Sequence, residues 1–309
     1  MTHSTSTTPT LYGAIEAGGT KIVCAVAYTP LEPLNVERFA TADPDSTIAN
    51  IIDYFKRAQV EHGALESLAI GAFGPVDVNP LSKKYGTILK TPKQGWEGVN
   101  ILHAIKQALG EDINYKIDTD VNAAALGEYT FGAGRGNQNV SYVTVGTGIG
   151  ASYLVDGRAV NGRMHSEIGH MAVPNLEDAD STFTNTCKFH SNCLEGWAAG
   201  PAIEKRWGCP GKDLPEDHPA WDLQAKYLAQ GVLNITASWS PDVIIFGGGV
   251  MQQDHLIEKV RIVFEETACD YWSLPPLDHY IQKAELDQMA GIIGALLLAQ
   301  KNRRATQFA

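Results

Sequence analysis

The sequence contains no run of basic residues. Its 24 lysines and arginines are outnumbered by 35 aspartates and glutamates, and the formal net charge is −11. A nucleic-acid backbone would meet general repulsion, because binding to it depends on neutralising phosphates with lysine and arginine. Nucleic acid is therefore not an expected partner, and an anionic small ligand would need local backbone amides and a few well-placed cations.

Long apolar segments and frequent cysteines are also missing. The longest apolar run, AGIIGALLLA from Ala290, is about half of what a bilayer span needs, so it predicts a buried helix and no membrane partner. The start, MTHSTSTTPT, lacks the basic residues and apolar core of an export signal and predicts a disordered tail over residues 1–10. Five scattered cysteines, an odd number, argue against a secreted disulfide framework and favour the cytoplasm.

Two common phosphate-binding patterns, the Walker sequence and GxGxxG, are absent as well. Glycine-rich turns instead follow apolar runs at AGGTK (Ala17–Lys21), VGTGIG (Val145–Gly150) and FGGGV (Phe246–Val250). Glycine lets a backbone approach a phosphate closely and aim N–H groups at it, although an ordinary hairpin explains a single such turn better. Three of them together predict a nucleotide cradle built from backbone amides.

The hydrophobic pattern alternates between strands and helices, which predicts an α/β chain. One amphipathic helix is expected in STIANIIDYFKRAQVEHG, with Ser46 as N-cap and Gly63 as its stop, and another in VNILHAIKQALG, ending at Gly110. The strand–turn–strand pattern around Gly18 returns around Gly146, which suggests internal duplication. Two similar α/β halves facing each other would place a ligand in the cleft between them.

A carboxylate stands where a predicted strand meets a predicted helix. In DTDVNAAALGE, Asp120 directly precedes an alanine-rich segment. An aspartate in this position can be a simple helix N-cap. It can also be a general base that takes the proton of an alcohol as the oxygen attacks phosphorus. The spacing fits both roles.

Soft metal ligands are concentrated in one segment. Cys187, His190 and Cys193 fall three residues apart, and His170 lies upstream, three residues after Glu167. Two thiolates and two imidazoles suit tetrahedral Zn²⁺, and four protein ligands make a closed, structural site. Four unrelated residues are the alternative, because the gap before Cys187 is long, but the C-x2-H-x2-C core favours zinc.

The chain resembles the ROK family of sugar kinases, and most closely its zinc-containing fructokinases, in an ordered set of motifs: AIEAGGTK, GPVD, TPKQGW, DTDVNAAALGE, VGTGIGASYLVDG, SEIGH, CxxHxxCLEG and FGGGV. The resemblance runs from about Tyr12 to Gln300. It implies an actin-like ATPase (ribonuclease H-like) fold of two α/β domains with a hexose, ATP and Mg²⁺ in the cleft, and a homodimer.

The same resemblance implies domain boundaries. An N-terminal α/β domain is expected over residues 11–119, with a C-terminal helix at 291–302 packed back on it. A larger C-terminal α/β domain is expected over residues 120–309, and it would contain a zinc-binding loop at 170–193.

Roles for single residues also follow from the resemblance. Asp120 matches the catalytic base, expected to deprotonate the 6-hydroxyl of a hexose, D-fructose above all. The hexose-contacting positions match Gly74, Pro75, Glu167, His170 and Glu195. The nucleotide-binding positions match Gly18, Gly19, Thr20, Lys21, Thr147, Pro201, Gly247, Gly248, Gly249, Val250 and Met251. The structural zinc ligands match His170, Cys187, His190 and Cys193.

Three positions differ from many relatives. Glu16 stands where aspartate is common, so its contact with Mg²⁺ would be direct or through water. Thr119 stands where glucose-specific members have asparagine, and His190 where many members have a third cysteine. The last two differences resemble the fructokinase branch and favour fructose as the substrate.

Several other functions would also be compatible with parts of this sequence. Glucokinase, mannokinase and N-acylhexosamine kinase activities of the same family are the alternatives. A sugar-sensing ROK repressor is disfavoured, since no helix-turn-helix domain precedes the strand expected to begin near Leu11. A catalytically silent binding module is disfavoured by Asp120 and the three glycine turns.

Overall fold

The computed structural model describes residues 9–177 and 181–306. Residues 1–8 of the predicted tail and residues 178–180 of the predicted zinc loop lie outside the described residues. The described residues divide into two compact units, the first made of residues 9–123 with 291–306 and the second of residues 124–177 with 181–290.

The first unit is built on a five-stranded mixed sheet. Its elements in chain order are β1 (Leu11–Ala17), β2 (Lys21–Thr29), β3 (Glu32–Ala40), α1 (Pro44–His62), β4 (Leu65–Ala72), α2 (Ile101–Leu109) and β5 (Asn114–Thr119). The strand order is β3-β2-β1-β4-β5, and β1 pairs antiparallel with β2 but parallel with β4. Helices α1 and α2 pack together, and the core around them includes the fully buried Ile15, Phe55 and Ile70.

The two ends of α1 differ in how well they match the predicted cap and stop residues. Asp43 is the N-cap, since its carboxylate accepts the Ser46 N–H at 3.0 Å. The prediction that Ser46 caps this helix was wrong, because Pro44 takes the first helical position, where its missing N–H would have had no partner in any case. The predicted stops are confirmed: Gly63 and Gly110 follow α1 and α2 with φ of 100° and 108°.

The second unit is built on another five-stranded mixed sheet. Its elements in chain order are β6 (Asn139–Val145), β7 (Ile149–Val155), β8 (Arg158–Ala159), α4 (Leu194–Ala198), α5 (Gly200–Trp207), α6 (Ala220–Trp239), β9 (Val243–Gly247), α7 (Asp254–Ala268), α8 (Leu277–Tyr280) and β10 (Ile281–Lys283). Helix α3 (Asp120–Phe131) contains the first boundary between the units, and α9 (Ala290–Thr306) begins at the second.

The two sheets share one topology. The second has the order β8-β7-β6-β9-β10, which corresponds strand by strand to β3-β2-β1-β4-β5 of the first. In both, the central strand pairs antiparallel with the strand that follows it and parallel with the next strand of the sheet. The predicted α/β class is confirmed, and so is the predicted duplication at the level of strand order.

In the first sheet the predicted binding segments leave one edge. Ala17 at the end of β1 pairs with Ala72 at the end of β4, which in turn pairs with Thr119 at the end of β5. Gly18 and Asp120 therefore follow two parallel strands, β1 and β5, that are separated only by β4. Ligands of α/β sheets bind beyond this carboxyl edge, so the topology supports the placement of the predicted segments.

The apolar run at Ala290 forms the start of α9, as predicted, and Ile292, Ala295 and Leu296 within it are fully buried. Within residues 9–177 and 181–306, no helix combines the length and the hydropathy that crossing a membrane requires.

A buried carboxylate, Glu128, accepts backbone N–H groups near the end of α3. No role was predicted for it from the sequence. This residue is fully buried. Its oxygens accept the N–H groups of Ala133 at 2.9 Å, Glu285 at 3.1 Å and Leu286 at 2.8 Å. A buried charge is tolerated only when its oxygens are hydrogen-bonded. Glu128 thus ties the end of α3 to the segment that leads into α9.

Candidate functional site

The first glycine-rich turn joins β1 to β2. The Gly18 N–H donates to the Lys21 carbonyl at 2.9 Å, and a Cβ on Gly18 would lie 2.9 Å from that same oxygen. Around Gly19, by contrast, a Cβ would meet nothing within 4 Å. The turn is closed at Gly18 and open at Gly19, so a ligand can approach its backbone there.

Two side chains hold the carbonyl groups of this turn. Thr41 Oγ1 donates to the Gly18 carbonyl at 2.7 Å. Lys93 Nζ donates to the Gly19 carbonyl and, at 3.0 Å, to that of Thr41. Lys93 belongs to the motif TPKQGW, but no role was expected for it, because a partner 74 residues away leaves no spacing signal in the sequence.

Glu16 precedes the same turn on β1. Its Oε2 atom is buried and has no hydrogen-bond partner within the described ranges. Burial raises the pKa of the Glu16 carboxyl, while the charges of Lys21 and Arg38 act in the opposite direction. A buried carboxylate oxygen that the protein leaves without a donor fits a role beside a cation or its bound water.

The start of α3 shows which side chains accept the first amides of the helix that contains Asp120. Thr119 Oγ1 accepts the Asn122 N–H at 3.0 Å, so Thr119 is the side chain that caps the helix. Asp120 is the first helical residue; it is partly exposed, and its Oδ1 accepts the Val121 N–H at 2.9 Å. Because the Thr119 hydroxyl caps α3, the helix does not require the Asp120 carboxylate as its N-cap.

The predicted sugar-side loop of the first unit follows β4. Gly74 and Pro75 are joined by a cis peptide bond. The preceding Phe73 N–H donates to the Ala17 carbonyl at 2.7 Å, and Leu89 donates to the Pro75 carbonyl at 2.7 Å. These bonds fix the loop beside the end of β1, next to the glycine turn.

In the second unit the other predicted nucleotide segments come together. Thr144 pairs with Gly247, so the turns after β6 and β9 leave the same edge of the sheet. A Cβ on Gly146 would lie 4.0 Å from the Gly249 nitrogen, and the Gly200 N–H at the start of α5 donates to the Gly146 carbonyl at 2.8 Å. The segments brought together carry the predicted positions Thr147, Pro201, Gly247, Gly248, Gly249, Val250 and Met251.

Glu195 on α4 contacts the turn between β6 and β7. Its Oε2 accepts the Ile149 N–H at 2.9 Å. A Cβ on Gly148 would lie 2.6 Å from that oxygen, so a side chain at this position would force the carboxylate to shift. A residue expected to contact the hexose is thereby hydrogen-bonded to a turn expected to bind the nucleotide.

Glu167 and His170 lie on one short 3₁₀ turn, in which the His170 N–H donates to the Glu167 carbonyl at 2.9 Å. His165, which is buried, has its Nδ1 3.6 Å from Glu167 Oε1. Burial raises the pKa of the Glu167 carboxyl; His165 and His170 oppose this shift, and the negative charge of Glu195 adds to it. The predicted sugar-contacting residues of this unit therefore share one electrostatic environment.

The four predicted metal ligands form one cluster. The ligand atoms of His170, Cys187, His190 and Cys193 all lie within 4.8 Å of one another. Cys187 Sγ is 3.8 Å from His170 Nδ1 and 3.6 Å from His190 Nδ1. Bond lengths to tetrahedral Zn²⁺ give ligand–ligand distances of about 3.3–3.8 Å. The two Cys187 distances lie in this range, and two thiols with two imidazoles are a donor set that fits this ion.

The loop around the cluster is fixed by polar side chains. Asn185 Nδ2 donates to the Cys193 carbonyl at 2.9 Å, and its Oδ1 accepts the Cys187 N–H at 3.1 Å. Burial raises the pKa of the Cys193 thiol to about 11. Because a metal binds the thiolate, binding at neutral pH would displace a proton from this residue.

The model of the ROK family matches residues 12–302. The chain belongs to the ROK family. The matched range contains every residue of the turns, the metal cluster and the Glu195 contact described above, so the ROK assignment covers the whole candidate site.

Relatives of this ROK protein match over almost their full length. A fructokinase from Pediococcus pentosaceus is 42% identical over 290 residues, covering 94% of this chain and 98% of the relative. A fructokinase from Streptococcus mutans is 40% identical over 294 residues, with the same coverage. A solved ROK family glucokinase from Streptomyces griseus, in complex with glucose and AMPPNP, is 25% identical with a TM-score of 0.74 and covers 94% of this chain and 99% of its own. The expected actin-like ATPase fold is confirmed.

Proposed function

We propose that this ROK protein is a fructokinase that transfers the γ-phosphoryl group of ATP to the 6-hydroxyl of D-fructose. The observation that carries the proposal is the identity of about 40% to fructokinases over nearly the whole chain. The glycine turns at the carboxyl edges of both sheets support it, since backbone amides at this edge are suited to hold phosphates.

Asp120 is the proposed general base. Its carboxylate takes the proton of the 6-hydroxyl as the oxygen forms a bond to the γ-phosphorus, and the bond from that phosphorus to the bridging oxygen breaks and releases ADP. Thr119 supports this assignment, because its hydroxyl is the N-cap of α3, and the helix does not need the Asp120 carboxylate in that position. Mg²⁺ would accompany ATP and neutralise phosphate charge, and Glu16 is the residue proposed to hold it directly or through water.

The hexose is proposed to contact Gly74, Pro75, Glu167, His170 and Glu195. Carboxylate oxygens can accept hydrogen bonds from sugar hydroxyls, and Glu167 and Glu195 offer two such groups. His170 presents Nδ1 to Cys187, so its other ring nitrogen is the atom proposed for the sugar. The nucleotide is proposed to bind the three glycine turns together with Pro201.

We also propose that the enzyme is a cytoplasmic homodimer. All five cysteines lie among the described residues and none of them forms a disulfide, as expected in a reducing compartment. The dimer is the assembly that the family resemblance implies. A light-scattering mass equal to that of a single chain would contradict it.

A panel of hexoses tests the proposed activity. We expect ATP- and Mg²⁺-dependent turnover with D-fructose in an assay that couples ADP release to NADH oxidation, and a lower kcat/KM with glucose, mannose and N-acetylmannosamine. A preference for one of those three sugars would replace fructose as the substrate. Absence of turnover with every hexose would overturn the kinase assignment.

The variant Asp120→Asn tests the proposed base. We expect kcat to fall by at least about 10²-fold, since general-base catalysis contributes about 10²–10⁴-fold, while calorimetric ATP affinity stays within about twofold of wild type. Asp118→Asn, which changes the neighbouring carboxylate on β5, is the matched comparison and should retain more activity. Wild-type kcat in Asp120→Asn would mean that the carboxylate is not the base.

The metal proposal predicts one zinc ion per chain, bound to His170, Cys187, His190 and Cys193 and holding the loop in place. Elemental analysis of the purified protein measures it directly. We expect Cys187→Ser to lose most of the zinc and to raise the KM for fructose, whereas Cys269→Ser, at an exposed cysteine outside the cluster, should keep both at wild-type values. A zinc-free wild-type protein with normal kinetics would refute the proposal.

A further inference from the structure

We infer that Thr41 and Lys93 are positioning residues for the phosphates of ATP, because they hold the turn at Gly18–Lys21 with its Gly19 and Thr20 N–H groups directed outward. The inference rests on the proposed function, since it concerns the first nucleotide turn of that same site. Neither residue is among the positions that the resemblance assigned to ligand binding.

The carbonyl groups in the middle of the turn are both hydrogen-bonded to side chains. The buried Thr41 donates its hydroxyl to the Gly18 carbonyl at 2.7 Å, and Lys93 donates its ammonium to the Gly19 carbonyl. The Thr41 N–H also donates to the Thr20 carbonyl at 3.0 Å. Three consecutive carbonyls of the turn are therefore held by two residues from outside it.

The hydrogen bonds to the carbonyls also determine the direction in which the amides of the turn point. In a planar trans peptide, a carbonyl and the following N–H point to opposite sides, and the peptides of this turn are trans. The bonds to the Gly18 and Gly19 carbonyls thus turn the N–H groups of Gly19 and Thr20 away from Thr41 and Lys93. No acceptor in the described part of the chain takes a hydrogen from either of these two amides.

Two adjacent amides that point out of a turn form an anion-binding concavity. The open space around Gly19 leaves it accessible, as a Cβ there would meet nothing within 4 Å. A phosphate oxygen matches this pair of donors in charge and in hydrogen-bonding capacity. The arrangement assigns to this turn a contact with the phosphates, not with the base or the ribose.

The positioning residues are themselves held in place. Lys93 Nζ donates to the Thr41 carbonyl at 3.0 Å, which links the two to each other. The fully buried Trp96 donates its Nε1–H to the Ala42 carbonyl at 3.0 Å, which fixes the segment after Lys93 to the segment after Thr41. The turn is therefore held by side chains that are themselves hydrogen-bonded, and not by one flexible side chain alone.

Lys93 also contributes charge. In a chain of net charge −11, an anionic ligand needs local cations. Both hydrogen bonds of the Lys93 ammonium go to neutral carbonyls, and within residues 9–177 and 181–306 it forms no ion pair, so its charge is not neutralised by a carboxylate. Thr41 carries no charge, and this difference allows orientation to be tested separately from electrostatics.

Steady-state kinetics of Thr41→Val and Lys93→Met test the inference. Thr41→Val removes the hydroxyl with little change of volume, and Lys93→Met removes the ammonium but keeps the apolar stem. We expect the KM for ATP to rise about tenfold in each variant, while the KM for fructose changes less than about twofold. Thr41→Ser, which keeps the hydroxyl, should restore the wild-type KM for ATP.

Thr29→Val and Lys83→Met are the matched controls in the same unit, and both should leave the kinetics unchanged, because both residues are exposed and outside the turn's framework. A wild-type KM for ATP in Thr41→Val would overturn the inference, even if Lys93→Met weakened ATP, since charge alone would then explain the lysine. A parallel rise of both KM values would also overturn it.

The test separates this inference from the proposed function. If wild-type protein phosphorylates no hexose, the proposed function fails, and calorimetric titration with ATP alone still examines the turn. Affinity about tenfold weaker in both variants would then support the positioning role, and unchanged affinity would overturn it.

Discussion

The hydrogen bond from the Ile149 amide to the Glu195 carboxylate is the contact on which the rest of the second unit's site depends. Cys193, two residues earlier, carries a candidate metal ligand, and Gly200, five residues later, donates to the Gly146 carbonyl at 2.8 Å. Helix α4 therefore lies between the metal cluster and the glycine turn after β6. Movement of this helix would disturb both the proposed sugar contacts and the proposed nucleotide contacts.

The two units share a strand order but support their glycine turns differently. Behind the turn at Gly18, a hydroxyl and an ammonium donate to backbone carbonyls, and this directs the amides outward. Beside Gly148, a carboxylate accepts a backbone amide, and this fixes the turn to α4. In both turns an oxygen lies close to the glycine: a Cβ on Gly18 would be 2.9 Å from the Lys21 carbonyl, and one on Gly148 would be 2.6 Å from the Glu195 carboxylate. The same strand order is thus combined with two different ways of holding a glycine turn in place.

Local patterns in the sequence were sufficient for some features and not for others. The spacing of Cys187, His190 and Cys193 indicated a metal cluster, and helical periodicity with terminal glycines indicated α1 and α2. The capping of α3 by Thr119 could not be predicted, because adjacent hydroxyl and carboxylate side chains compete for the same amides. The role of Lys93 was missed since its contacts lie 74 and 52 residues away along the chain, and only the packed fold brings them together.

A double-mutant cycle on Gly148 and Glu195 tests most directly whether α4 and the glycine turn act as one unit. Calorimetric titration with ADP should show about fivefold weaker binding for Gly148→Ala and for Glu195→Ala. The double variant should bind no more weakly than Glu195→Ala alone, since contacting residues are not additive. Wild-type ADP affinity in Glu195→Ala, or losses that multiply in the double variant, would contradict this dependence.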